Sequence, residues 1–247
     1  MKTLSLALTA VLATGLVACT DEASVENTDL DVATTDGEAA AKAREIQGGD
    51  LADLQLGAKI VGPQGEEVKA RLTNEAGAFA DITSYVACPK GVTECDPATA
   101  PNGMIYTYVH TVYPGEDNQD DSGSGTGADS SDVEIATSFM MTQPAYGFTG
   151  AVGYSTAEVI RAVGNKAQVV ITCLDGGIVW TINAGGGGDQ WEQAEPITFW
   201  WQSTVPPAGP ADAYAIKANY VTATGNGPYP AKSDQAPSAC TAPSTDG

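Results

Sequence analysis

The chain has 247 residues, 43% of them hydrophobic, with 31 acidic against 11 basic side chains and a net charge of −20. That length supports one sizeable domain or at most two small ones. The charge rules against nucleic acid and anionic lipid head groups as partners of the folded surface. It favours solubility, basic partners or divalent cations.

The N-terminus has to be set aside before the fold is read. Lys2 supplies a short positive region, and residues 4–17 form an apolar run too short to span a bilayer. The run ends in Leu16, Val17, Ala18 and Cys19. This ending resembles the lipobox of bacterial lipoproteins. The resemblance covers residues 1–19 only, and no family is identified for the rest of the chain. It implies removal of residues 1–18 as a signal peptide, a diacylglyceryl thioether on Cys19, and acylation of the new amino terminus by a chain such as palmitate. Several acyl chains make such attachment stable, because each buried methylene contributes about 0.8 kcal/mol. Thr20 stands where an Asp would, in enteric bacteria, imply retention in the inner membrane. The resemblance therefore implies a lipid-anchored location in the bacterial cell envelope, at the outer membrane rather than the inner. Loss of the leader removes Lys2 and no acid, leaving 10 basic and 31 acidic residues, or −21.

With Cys19 taken by lipid, Cys88, Cys95, Cys173 and Cys240 remain, an even number in an exported chain. Four cysteines allow three pairings. Cys88 and Cys95 flank a short Pro/Gly loop and most simply pair with each other, which leaves Cys173 for Cys240. The alternatives are separate reduced thiols or a metal site. The spacings and the single histidine do not suit zinc.

Residues 19–53 are acidic and free of aromatic side chains, which reads as a disordered tether. Within it, residues 38–46 are Ala-rich enough for a short, marginal helix. The folded domain is expected over residues 54–223. Short strands are expected at 58–61 and 67–72 about a Gly-Pro-Gln-Gly turn, and a third at 78–87. The densest β-branched and aromatic content follows, in strands at 104–113 and 132–142, expected to pair as a hairpin across an acidic loop. The first is apolar on both faces and so central in its sheet. Ser155 and Glu158 have capping-box spacing, which predicts a helix to Val163 closed by Gly164 and Asn165. Val159 and Val163 would face the sheet. Strands at 167–174 and 178–182 flank Asp175-Gly176-Gly177, a strong hairpin signal. Strands at 196–202 and 214–220 complete the set, and residues 224–247 form a Pro/Gly/Ser-rich tail pinned by Cys240. Residues 137–147 resemble residues 198–209, as a duplicated hairpin or by coincidence. About nine strands and one short helix predict a mainly β domain, an antiparallel β-sandwich, with a barrel as the alternative.

Few residues offer chemistry. His110 is the lone histidine and sits mid-strand, so it could act as a base only beneath a cleft; a packed core histidine is the plainer expectation. No Gly-x-Ser-x-Gly or His-Glu-x-x-His motif is present, and no cofactor motif. Glu134, Glu192 and Glu195 are the acids nearest strands and aromatic residues, but with 31 acids a carboxylate pair is easily met by chance. The loop with Glu116, Asp117, Asp120, Asp121 and Asp129 could hold calcium by composition, yet it lacks EF-hand spacing. Among the tryptophans, Trp180 alternates with isoleucines and reads as core. Trp200 and Trp201 point to opposite faces, so one could lie outside. Trp191, after a Gly-rich loop, is the best candidate for an exposed ring that stacks on a glycan. The expected function is a non-catalytic binding or structural role at the envelope, with glycan binding or glycan hydrolysis as alternatives. The expected partners are the membrane, through the lipid, and a glycan or another envelope protein.

Overall fold

The computed structural model describes residues 44–61, 67–115 and 133–241. The leader, Cys19, the tether up to residue 43, the Gly-Pro-Gln-Gly turn, the acidic residues of the 116–132 loop and residues 242–247 lie outside the described residues.

The fold is mainly β with one helix. In chain order the strands are β1 (Arg44–Ile46), β2 (Gly49–Asp50), β3 (Leu56–Lys59), β4 (Val68–Asn74), β5 (Gly77–Pro89), β6 (Tyr106–Pro114), β7 (Ala136–Met141), β8 (Phe148–Tyr154), β9 (Gln168–Leu174), β10 (Gly177–Asn183), β11 (Ile197–Ser203), β12 (Pro207–Ala218) and β13 (Val221–Pro230). The helix α1 (Thr156–Val163) lies between β8 and β9. The strands form one curled sheet, a half-barrel, in the order β1-β9-β10-β7-β12-β13-β4-β5-β6-β11-β8-β2, with β3 beside β5. The expectation of a sandwich of two separate sheets is therefore corrected to a single sheet. Its pairs are antiparallel except β2 with β8. Register shifts at Asp212/Tyr214 in β12 and at Leu72/Thr73 in β4 interrupt their ladders. Such irregularities bend strands and increase twist.

A second correction concerns the two densest strands. They form as β6 and β7, but they do not pair: β6 bonds to β5 and β11, β7 to β10 and β12. They face each other across the interior, with the His110 and Phe139 rings 5.8 Å apart. β10 and β11 behave alike, with Trp180 and Phe199 5.7 Å apart. The two similar stretches noted above thus end arches that cross the interior, not hairpins. Each arrangement buries the apolar inner faces of both strands together.

Local chemistry explains the tight connections. The β9–β10 turn has Asp175 at φ 49° and Gly176 at φ 80°, the left-handed pair that a two-residue hairpin requires. The β12–β13 turn uses Asn219 at φ 47° and Tyr220 at φ 66°. A tyrosine there gives no turn signal, so the strand at 214–220 was expected to be the last. Its return strand β13 holds Gly225, Gly227, Pro228 and Pro230, residues depleted in strands. β8 carries a weak strand signal for a similar reason, since Gly150 and Gly153 interrupt it.

Residues 44–53, expected in the tether, form β1, β2 and a single 3-10 turn in the sheet. β1 pairs with β9 and β2 with β8, the two outermost long strands. Gly48 sits between them, since a Cβ there would lie 2.7 Å from Ile171 and 3.3 Å from Tyr154.

The helix follows its capping signal in part. The Ser155 hydroxyl accepts from the Glu158 N–H at 3.3 Å. The reciprocal arm goes elsewhere: the Thr198 N–H of β11 donates to the Glu158 carboxylate at 2.7 Å. The Ser155 N–H donates to the Thr198 carbonyl at 2.8 Å, so the helix start is tied to β11 in both directions. Val159 and Val163 are buried as expected, and Gly164 ends the helix at φ 102°.

Candidate functional site

The interior is built from rings that β6, β7, β10, β11 and β12 point inward. Phe139 lies 5.1 Å from Phe199 and 5.7 Å from Tyr214, and Tyr108 stacks on Trp201 at 4.4 Å. His110 belongs to this cluster, with its ring 4.2 Å from that of Tyr214. It is wholly buried, and its Nδ1 lies 2.9 Å from the Ser84 hydroxyl. The register pairs His110 with Ser84 on β5 and Phe199 on β11. Its Nε2 has no hydrogen-bond partner among the described residues. Burial alone pulls its pKa down to about 3, because the charged form cannot be solvated there. A serine beside a histidine suggests a nucleophile and its base, yet no substrate proton can reach a ring with zero exposure. The pair stabilises the core by satisfying two buried polar groups. Ser84 was not singled out from sequence. No local signal would have found it: end-to-end pairing of strands 78–87 and 104–113 sets Ser84 opposite Thr107, and only the register of the folded sheet brings it to His110.

The tryptophans do not form a ligand platform. Trp180 and Trp201 are core residues at 0% exposure. Trp191, the expected exposed ring, is only 1% exposed. The loop after β10 folds inward: the Trp191 carbonyl accepts from Ala136, its indole N–H donates to the Glu195 carbonyl at 2.7 Å, and its ring meets Phe199 edge-on at 5.8 Å. Burial of a large ring with its N–H satisfied outweighs the flexibility expected of a Gly-rich loop. Trp200 does point away from the main core, but Gly49 of β2 lies over it and reduces it to 5% exposure.

The structure does bring Glu192 and Glu195 together. The Glu192 N–H donates to the Glu195 carboxylate at 3.2 Å. Partial burial, with the charges of Glu192 and Asp189 nearby, raises the Glu195 carboxyl, while that hydrogen bond opposes the shift. Glu134 is exposed on the segment beside this pair, where the Ala136 N–H donates to the Trp191 carbonyl and the Gln193 N–H to the Val133 carbonyl; its own N–H donates to the Asn219 side chain at 3.0 Å. A surface depression of about 580 Å³ is lined by Lys59, Val61, Glu94 and Asp96 among others. Another of about 570 Å³ is lined by Lys69, Arg71, Asp212 and Asn226 among others. Neither includes His110, Trp191 or the glutamates named above.

The cysteines pair as the loop lengths favoured. Cys88 is bonded to Cys95 and Cys173 to Cys240. Among the described residues no group of three His, Cys, Asp or Glu side chains is placed to hold a metal ion. The acidic loop considered for calcium and the lipid attachment residue Cys19 lie outside the described residues. No helix among the described residues is long and apolar enough to cross a membrane. Compared with protein-family models, curated proteins and solved structures, the chain shows no match.

Proposed function

We propose that the chain is a lipid-anchored protein of the bacterial cell envelope, with a non-catalytic binding or structural role. The observation that carries this is the leader ending in Leu16, Val17, Ala18 and Cys19 ahead of a domain with two disulfides. Disulfides form and persist in oxidising compartments outside the cytosol, which fits export. The lipid on Cys19 holds the protein to the outer membrane. The acidic surface directs it toward basic or cation-bridged partners among envelope proteins.

The non-catalytic assignment is supported by the burial of His110, the group best suited to proton transfer near neutral pH. The glycan alternatives draw less support, because the ring chosen for stacking is enclosed and its N–H is already used.

The test is expression of the full chain in a bacterial host with a palmitate label. The wild type is expected to carry label and fractionate with membranes, and Cys19→Ala is expected to do neither. An unlabelled wild-type protein with Met1 intact would overturn the proposal.

A further inference from the structure

The two ends of the curled sheet meet at a seam. Among the long strands β8 bonds only to β11 and β9 only to β10, and they are not paired with each other. Three things bridge them. The first is the strap of residues 44–50, which lays β1 on β9 and then β2 on β8. The second is an internal bond, the Trp180 indole N–H to the Gly153 carbonyl at 3.1 Å. The third is the C-terminal segment: the Ala239 N–H donates to the Phe148 carbonyl of β8 at 2.9 Å, and Cys240 is bonded to Cys173 of β9. The strap and the tail also hold each other, since Arg44 donates to the Ala239 carbonyl at 3.2 Å. The strap alone is thin. It pairs three residues with β9 and two with β8.

We infer that the Cys173–Cys240 disulfide is a redox-sensitive lock on this seam, opened by a dithiol reductant while Cys88–Cys95 stays closed. Two observations separate the bridges. Cys88 and Cys95 are 1% and 6% exposed, whereas Cys240 is half-buried on the tail and Cys173 is 8% exposed. Cys88 and Cys95 are also 7 residues apart, so a broken bridge there recloses readily; Cys173 and Cys240 are 67 apart. Loop closure becomes less favourable with length, so a released tail returns more slowly.

The exchange is balanced as follows. A thiolate of the dithiol bonds to Cys240 Sγ, the Cys173–Cys240 bond breaks, and Cys173 leaves as a thiolate that takes up a proton. The second thiol of the reductant then displaces Cys240 Sγ, which takes up a proton in turn. Two electrons and two protons end on the cysteines, and the reductant leaves as its own cyclic disulfide. Release of the tail removes the Ala239 contacts to Phe148 and Arg44. The strap then opens, baring the edges of β8 and β9. This device stands independently of the lipid on Cys19.

The test is graded reduction of the oxidised protein with dithiothreitol under native conditions, followed by alkylation, peptide mapping and hydrogen exchange. Cys173 and Cys240 are expected to be alkylated before Cys88 and Cys95. Amide exchange at residues 44–50 and 148–154 is expected to rise at least about tenfold while β5 and β6 keep their protection. Reoxidation is expected to restore both. Prior opening of Cys88–Cys95 would overturn the inference. So would unchanged exchange at the seam with Cys173 and Cys240 fully alkylated. Cys173→Ser combined with Cys240→Ser is expected to show the open-seam exchange without reductant, and wild-type exchange in that variant would count equally against the lock. Should the double variant not fold, the reduction series on the native protein decides alone.

Discussion

His110 Nδ1 and the Ser84 hydroxyl lie 2.9 Å apart, fully enclosed, with the Tyr214 ring 4.2 Å from the imidazole. A single hydrogen bond between neighbouring strands thus holds the one side chain that could have served as a base near neutral pH. Tyr214, the titratable group in contact, stays neutral because burial drives its pKa up, and its hydroxyl donates to the Pro228 carbonyl at 2.8 Å.

Acid sensitivity follows from that burial. The folded-state pKa of His110 is about 3 against an ordinary value of 6.5, so between those limits the unfolded chain binds the extra proton. Stability is therefore unaffected above about pH 6.5 and falls as pH drops through the window, by about 1.4 kcal/mol per pH unit. Denaturant melts of the wild type and His110→Phe between pH 6 and 4 are expected to differ in slope by that amount. The carboxylates are common to both and cancel. Equal slopes would show that His110 is solvated or charged in the folded protein.

Trp191→Phe is expected to destabilise the protein by about 1–3 kcal/mol, because the Glu195 carbonyl loses its indole donor at 2.7 Å. The check is urea denaturation, alongside retention on immobilised envelope glycans. Retention is expected to be unchanged by the substitution; specific loss of it would return the glycan platform to consideration.

Glu158→Ala is expected to lower stability by about 1–3 kcal/mol, since the buried Thr198 N–H loses its carboxylate acceptor. Glu158→Gln, which can still accept, is expected to recover most of the loss. Amide exchange at Thr198 reads the effect directly. Fast exchange there in the wild type would contradict the bond.

Gly153→Ala tests the strap from the side of β8. A Cβ at Gly153 would collide with the Gly49 carbonyl oxygen, which no backbone tolerates without displacement. A loss of about 1–3 kcal/mol is expected from the overpacking. Displacement of Gly49 also uncovers Trp200, so the tryptophan emission is expected to shift to the red. An unshifted spectrum would place something other than the strap over that ring.

Much of the architecture was legible in the chain because some signals are local. The Asp175-Gly176 turn needs left-handed backbone and received residues that adopt it. Ser155 capped its helix because the hydroxyl and the Glu158 N–H are three residues apart. Cys88 and Cys95 paired across a loop too short to allow much else. The missed elements had weak local signals: glycines in β8, glycines and prolines in β13, and a tyrosine where a turn favours glycine.

By itself the sequence determined which stretches extend, which residues share a face, and which cysteines find each other across the shortest loop. It could not determine which strands become neighbours. Alternation with period two specifies a face and is silent about the partner across either edge. Only the tertiary structure decided that β6 and β7 oppose each other through their rings, that Trp191 turns inward, and that residues 44–50 close the seam. Those outcomes depend on burying apolar surface contributed from distant parts of the chain, a quantity that belongs to the assembled sheet and to no segment of it.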